Sequence, residues 1–216
     1  MNPFVLLALF LSTTLCLGCS KIHPSHRAAA SNIEAIGGKY SLNSENKIIE
    51  VQLDLKPASD SDLQSLSELD TLEVLNVSGT NITNEGLTHI SNLTNLKKLN
   101  IGGGYQKPSK ISDDGLKHLT KLTNLKELVL SDTQISDAGL ANLSNLKALE
   151  SLYLFQTNIS DEGLKHLEGL PSLHTLRVMR TKITDEGAEA FKAKMPNLTN
   201  FIEPVPPPRE NTDNTP

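Results

Sequence analysis

A Leu-x-x-Leu-x-Leu pattern recurs through the middle of the chain at a nearly fixed period, and this repetition limits the possible folds more than any other feature. Copies start at Leu72, Leu96, Leu125, Leu149 and Leu173, with spacings of 24, 29, 24 and 24 residues. A weaker copy starts at Ile48, and a fragment opens at Leu198. A period this short marks a solenoid, in which each repeat is one supersecondary unit. The hydrophobic spacing changes inside each copy. Leu152 and Leu154 alternate with polar or outward residues, as on a half-buried strand, whereas Leu164, Leu167 and Leu170 stand three apart, as on a helix. Between the halves sits Thr-x-Ile-Thr/Ser, at residues 80–83, 133–136, 157–160 and 181–184. Its last residue suits a helix N-cap. Asp137, Asp161, Glu162, Asp185 and Glu186 follow at once, where the positive end of the helix dipole favours acids.

One copy cannot bury its leucines alone. Stacked copies give a parallel sheet, a helical layer and one continuous apolar core between them. These residues resemble the leucine-rich repeat family, in its bacterial 24-residue form with the Ile-Thr/Ser-Asp-x-Gly-Leu signature, over residues 48–201. The resemblance implies an α/β, right-handed solenoid with the parallel sheet on its concave face and helices on its convex face. It also implies the family's usual role, binding other proteins. Many members carry Asn or Cys at the ninth position of the repeat. Here Thr80, Thr133, Thr157 and Thr181 stand there, so a ladder of hydroxyls along the turn is expected.

Residues 4–17 are apolar apart from Ser12, Thr13 and Thr14, too short to span a bilayer comfortably, and read as the core of a signal peptide at 1–18. Met1-Asn2-Pro3 brings no Lys or Arg to its start. Gly18-Cys19 resembles the lipobox of bacterial lipoproteins, which implies lipidation of Cys19 and a membrane anchor. Cys16 departs from that motif, where Leu is usual. Ser20 lacks the Asp that retains many such proteins at the inner membrane, so the expected place is the cell envelope, outside the cytoplasm, at the outer membrane. A secreted or periplasmic protein is the alternative. Cleavage before Cys19 leaves one cysteine and no disulfide.

Residues 19–27 read as a solvated tether, whose His23 and His26 make a poor metal site. Residues 28–47 form an N-terminal cap: a helix ended by Gly37-Gly38, then a hairpin into the first repeat. The repeat domain covers 48–203, closed by Phe191, Met195, Leu198, Phe201 and Ile202. Residues 204–216 are Pro-rich and polar, the composition of a disordered tail. The 29-residue copy holds five extra residues around Gly102-Gly103-Gly104, without a phosphate-loop spacing, and reads as a bulge presenting Tyr105.

Candidate chemistry is sparse. His89, His118 and His166 share a helix position, but packed helices lie ~8–10 Å apart while zinc needs nitrogens at ~2.0–2.1 Å. The acids at the helix starts are spread one or two per repeat, unlike a compact calcium loop. No nucleophile elbow, Walker loop, zinc signature or dinucleotide fingerprint occurs. No enzyme, metal or cofactor is therefore expected. A formal charge of −5 without a basic stripe argues against nucleic acid as a partner.

The strand residues that point away from the core form columns across the repeats. One runs Gln52, Asn76, Asn100, Val129, Tyr153, Arg177, and the next runs Asp54, Ser78, Gly102, Ser131, Phe155, Met179. With strands ~4.8 Å apart, Tyr153, Phe155, Arg177, Met179 and Arg180 should form one patch. Aromatic residues and Arg are the usual anchors of protein interfaces. The competing reading packs Tyr153 and Phe155 under a neighbouring loop or the tail. The expected function is a membrane-anchored, extracytoplasmic protein–protein interaction module. A passive structural component of the envelope is the alternative.

Overall fold

The computed structural model describes residues 21–104 and 107–202. The leader with Cys19, the residue Tyr105 and the Pro-rich tail lie outside the described residues. Eight strands form one sheet in chain order: β1 (Lys39–Leu42), β2 (Ile48–Gln52), β3 (Val74–Asn76), β4 (Lys98–Asn100), β5 (Glu127–Val129), β6 (Ser151–Tyr153), β7 (Thr175–Arg177) and β8 (Asn200–Ile202). Only β1 runs antiparallel to its neighbour, and every later pair is parallel. The register aligns Val51, Leu75, Leu99, Leu128, Leu152, Leu176 and Phe201, one inward residue from each strand. The expected solenoid of strands backed by helices is the fold observed.

The helical layer comprises α2 (Asp60–Gln64), α3 (Asp113–Leu116), α4 (Asp137–Leu140), α5 (Asp161–Leu164) and α6 (Asp185–Lys194). Units α3 to α5 are one α turn that tightens into a three-residue 3₁₀ turn, as in Asp137–Leu140 followed by Ala141–Leu143. Gly86–Ile90 is 3₁₀ throughout. In these short turns 3₁₀ winding still directs every third side chain inward. Leu140, Leu143 and Leu146 are accordingly buried.

The hydroxyl ladder expected from the ninth-position threonines does not form. Thr80, Thr133, Thr157 and Thr181 each donate to the carbonyl three residues earlier in the same repeat, at 2.6, 2.6, 2.8 and 2.6 Å. They close the turn after each strand. Ser109 does the same across the insertion, donating to Ile101 O at 3.0 Å.

The links between repeats come instead from the first acid of each helix. Asp113 accepts from Ser136 N and Oγ, Asp137 from Ser160 N and Oγ, and Asp161 from Thr184 N and Oγ1. Asp60 does this for Thr83. Asn84 serves Ser112 with its amide, accepting the N–H at 3.0 Å and donating to Oγ at 2.8 Å. Ser112, Ser136 and Ser160 do occupy N-caps, but their hydroxyls are turned to the preceding repeat rather than to their own helix. Thr184 alone of these four also accepts from a first-turn amide, that of Gly187. The ladder explains the glycine of the signature. A Cβ on Gly139 or Gly163 would lie 2.3 Å from the carboxylate oxygen of Asp113 or Asp137.

The N-terminal end of the core is closed by α1 (Arg27–Ala35), which packs Ala29, Ala30 and Ile33 inward. Gly37, at φ +74°, takes the left-handed conformation that ends the helix. Gly37 and Gly38 donate to Glu34 O and Ile33 O. Asn43 holds the hairpin turn by accepting from the amides of Glu45 and Lys47.

Residues 21–27 are not a solvated tether. Ile22 is buried in the core, and His26 is buried beneath β2, where its Nδ1 accepts from Ile48 N at 2.9 Å. Its Nε2 lies 3.6 Å from Asp70. Two isolated side chains have no periodicity to betray them. Both serve the start of β2, where apolar surface and the Ile48 amide would otherwise be left open and unpaired. Burial pushes the His26 imidazole below its ordinary pKa, against the opposing pull of Asp70.

At the other end, Phe191 and Met195 are buried and Phe201 stacks 6.5 Å from Phe191. Ile202, expected among the residues closing the core, pairs with Arg177 in the outward column. The strand alternation puts only Phe201 inward.

Candidate functional site

The face of the sheet opposite the helices is open, and its columns follow the expected register. Gln52, Asn76, Asn100, Val129, Tyr153, Arg177 and Ile202 stand side by side. The next column continues through backbone bonds beyond the strands: Asp132 N donates to Phe155 O and Gln156 N to Met179 O. Each outward side chain is thus set by the position of a buried leucine one residue away.

The early part of this face is polar. A shallow depression of about 350 Å³ lies over β2 to β5, lined by Glu50, Gln52, Asn76, Asn100 and Glu127 among others. The oxygens of Asn76 and Asn100 are held by the amides of Ser78 and Gly102. Cations here are matched by acids of an adjacent repeat: Lys97 with Glu73 at 2.8 Å, Lys98 with Glu127 at 3.1 Å, and Lys126 with Glu150 at 2.8 Å. The Lys126 ammonium, by its hydrogen bond, holds the Glu150 carboxyl below its usual range.

The later part differs. Tyr153 and Phe155 are half-buried, and each is covered by an arginine from the next repeat. The Arg177 guanidinium carbon lies 5.2 Å from the Tyr153 ring centroid, and that of Arg180 lies 5.4 Å from the Phe155 centroid. Both are within the ~6 Å reach of cation–π attraction. Met179 is half-buried between these side chains in sequence and shares the column of Phe155. The five expected residues are therefore brought together, and it is the arginines of the same patch, not a loop, that cover the rings. Among the described residues, neither guanidinium has a carboxylate within salt-bridge distance.

Three further residues belong to the patch, and sequence reasoning missed them. Ile202 extends it past Arg177. Gln156 accepts from Arg180 Nη1 at 3.3 Å. Asp132 lies in the field of Arg180, which opposes the upward push of burial on its carboxyl. Asp132, Gln156 and Arg180 occupy the same repeat position, just before the ninth-position Thr, and all have left-handed backbone with φ of 56°, 55° and 57°. Gly79 fills that position earlier at φ +65°. Leu55 holds it in the first repeat at φ 57°, so side chains stand in early and late repeats alike where glycine would be cheaper by ~1–2 kcal/mol. The signal in the sequence was the polar residue recurring before each Thr.

The insertion folds beside this patch. Gly103 N donates to Ser131 O, Gly104 and Lys107 exchange backbone hydrogen bonds, and Ser109 N donates to Asp132 O. Its glycines are required by contact. Gly104 lies against Gly79, and a Cβ on either would stand 2.7 Å from Leu55 Cδ2. The insertion thus borders the strand next to Phe155. Among the described residues no group of three or more His, Cys, Asp or Glu is placed to hold a metal, and no helix is long and apolar enough to cross a membrane. His89 and His118 are half-exposed and His166 is exposed.

Family models for leucine-rich repeats match the chain in the repeat region. A two-copy leucine-rich-repeat model matches residues 123–166, and a single-repeat model matches residues 63–91 and 169–192. No functionally characterised protein matches the chain by sequence. Among solved structures, an internalin (inlF) of Listeria monocytogenes is similar at 24% identity and a TM-score of 0.44, over 68% of this chain. The chain spans 44% of that protein's length. Domains of this kind generally serve protein–protein interaction and are typically binding scaffolds without catalysis. With seven parallel-stacked strands, a helix-start ladder and repeat models matching in three stretches, the chain carries leucine-rich repeats and has the fold of a leucine-rich-repeat solenoid.

Proposed function

We propose that this chain is a protein-binding module held at the outside of a cell membrane, with its partner seated on the open sheet face. The observation that carries the reading is the pairing of Tyr153 with Arg177 and of Phe155 with Arg180 on adjacent strands. Large rings in contact with arginines have the composition of interface hot spots. The remainder of the face offers short polar and internally paired charged groups. This reading also counts Met179 and, from the sequence of the insertion, Tyr105 among the partner-binding residues.

The Gly18-Cys19 pair supports a lipid anchor, and Ser20 favours the outer membrane in a cell that has two. Two acyl chains make such anchoring stable, whereas one is marginal. Membrane association of the wild-type chain, lost in Cys19→Ala, is the expected result. Recovery of the wild type wholly in soluble fractions removes the anchor from the reading.

Binding is tested by crosslinking and capture from envelope extract with the full chain and with Tyr153→Ala combined with Arg177→Ala. The double variant should lose the discrete, saturable partner while unfolding at nearly the wild-type temperature. Capture that survives it but fails in Tyr105→Ala moves the recognition element to the insertion. Self-association alone in every sample refutes a separate partner.

A further inference from the structure

Resting on that reading, we propose that the partner presents an extended acidic segment with carboxylates on alternate residues, received by Arg177 and Arg180. The inference comes from the charge balance of the open face. Lys97, Lys98 and Lys126 are each neutralised by an acid of an adjacent repeat. Arg177 and Arg180 have no such acid among the described residues, although both are exposed. In a chain of formal charge −5, these are two exposed cations without a salt bridge among the described residues, and Asp132 is the acid nearest in effect, lying in the field of Arg180.

The guanidiniums are also held in place. Each guanidinium carbon lies over a ring, at 5.2 and 5.4 Å from its centroid, a contact that restrains the side chain. Arg180 uses one donor on Gln156, and Arg177 has no hydrogen bond among the described residues. A planar fork with free parallel donors fits a carboxylate in two-point fashion. Because little side-chain freedom remains to be lost, such a site is prepared for an anion.

The spacing selects the ligand's geometry. Tyr153 and Phe155 are alternate residues, one on β6 and one just past its end, and alternate residues of an extended chain stand roughly 7 Å apart. Residues i and i+2 of an extended segment have the same separation and face the same side. Adjacent acids point to opposite sides and reach only one arginine.

The probe is a fluorescein-labelled decapeptide, Ser-Gly-Ser-Glu-Val-Glu-Val-Glu-Ser-Gly, titrated with the full chain and followed by anisotropy. Its counterpart has Gln in place of each Glu. The acidic probe should bind at least about tenfold more tightly than the amide probe at low salt, and the difference should shrink as salt screens the charges. Arg177→Gln with Arg180→Gln should erase the preference, with the thermal midpoint moved by less than about 3 °C. Lys126→Gln, which removes a paired cation of the same face, should keep it. Equal binding of the two probes to the wild type overturns the proposal, as does a preference that survives the double arginine variant. The two readings separate in one further measurement. If an envelope partner is lost in the Tyr153→Ala, Arg177→Ala chain but is not displaced by the acidic probe, acid recognition fails and protein binding stands. If that variant captures the partner as the wild type does, the binding reading itself fails.

Discussion

Replacing Gly187 by Ala tests the inter-repeat ladder where one side chain is the obstacle. A Cβ at Gly187 would lie 2.1 Å from both Cγ and Oδ1 of Asp161 and 2.6 Å from Oδ2, and these are its three nearest atoms. Ordinary contact begins near 3.4 Å, so the carboxylate must move by more than 1 Å. It would then release Thr184 N and Oγ1, now held at 2.9 and 2.8 Å. Hydrogen bonds to a charged acceptor contribute ~1.5–3 kcal/mol when buried, and water replaces part of that at this exposed step, leaving about 1 kcal/mol each. Against this loss, Ala is better than Gly inside a helix by ~0.8–1.0 kcal/mol. Gly187→Ala should therefore destabilise by about 1 kcal/mol, as the difference of those two effects.

The sign should reverse once the obstacle is gone. In Asp161→Ala, which itself costs about 2 kcal/mol for the two lost bonds, Gly187→Ala should stabilise by up to ~1 kcal/mol. The coupling between the two changes is thus about 2 kcal/mol, well outside the ~0.3–0.5 kcal/mol scatter of independent sites. Urea unfolding of the four chains, followed by far-UV circular dichroism, measures it, provided the slopes agree. Additive costs, or stabilisation by Gly187→Ala in the wild type, would refute the account of why this signature contains glycine. Asp161→Asn supplies the control, since Asn84 does the same work for Ser112 and the amide should preserve most of the stability.

Other expectations follow from burial and backbone. Leu152→Ala, at a fully buried centre of the sheet, should cost ~2–5 kcal/mol, whereas Lys126→Ala should leave the urea midpoint almost unchanged; similar losses would mean a wrong register. The neutral His26 imidazole is the form that accepts from Ile48, and its folded pKa is lowered below 6.5, so the unfolded chain binds the proton more readily. Its stabilising contribution is therefore complete above pH 6.5 and lost as pH falls through the lowered folded value; His26→Gln should flatten stability between pH 7 and pH 5, and an unchanged slope refutes the assignment. Gln156→Gly should raise the thermal midpoint, by about 0.5 kcal/mol after the greater freedom of glycine in the unfolded chain is subtracted, while a lower midpoint would show that the left-handed turn is not strained.

The strands and their register were legible because alternation and period coincide. Once Leu128, Leu152 and Leu176 are inward, Val129, Tyr153 and Arg177 must be outward and adjacent, and they are. Side-chain hydrogen bonds were less legible. Thr133 and Asp137 are both polar residues near a helix start, and spacing alone does not say which one reaches the next repeat. Length decides it: Thr Oγ1 reaches only the carbonyl of its own turn, whereas a carboxylate spans the gap and accepts two hydrogens at once. His26 and Ile22 were hidden for a different reason. Their burial is imposed by the open end of the core, a demand that no local pattern records.

The same division of labour explains how the outward columns came to carry recognition residues. Closure of each turn uses the ninth-position hydroxyl, stacking of each repeat uses the helix-start acid and the glycine it displaces, and the core uses leucine. None of these duties falls on residues 153, 155, 177 or 180, whose side chains leave the sheet on the far side. Their identity is therefore unconstrained by the fold, and polar residues such as Gln52, Asn76 and Asn100 show what suffices there. Tyr153, Phe155, Arg177 and Arg180 exceed that requirement together, on neighbouring strands and with matched ring–cation contacts. A requirement other than folding accounts for that combination of rings and cations.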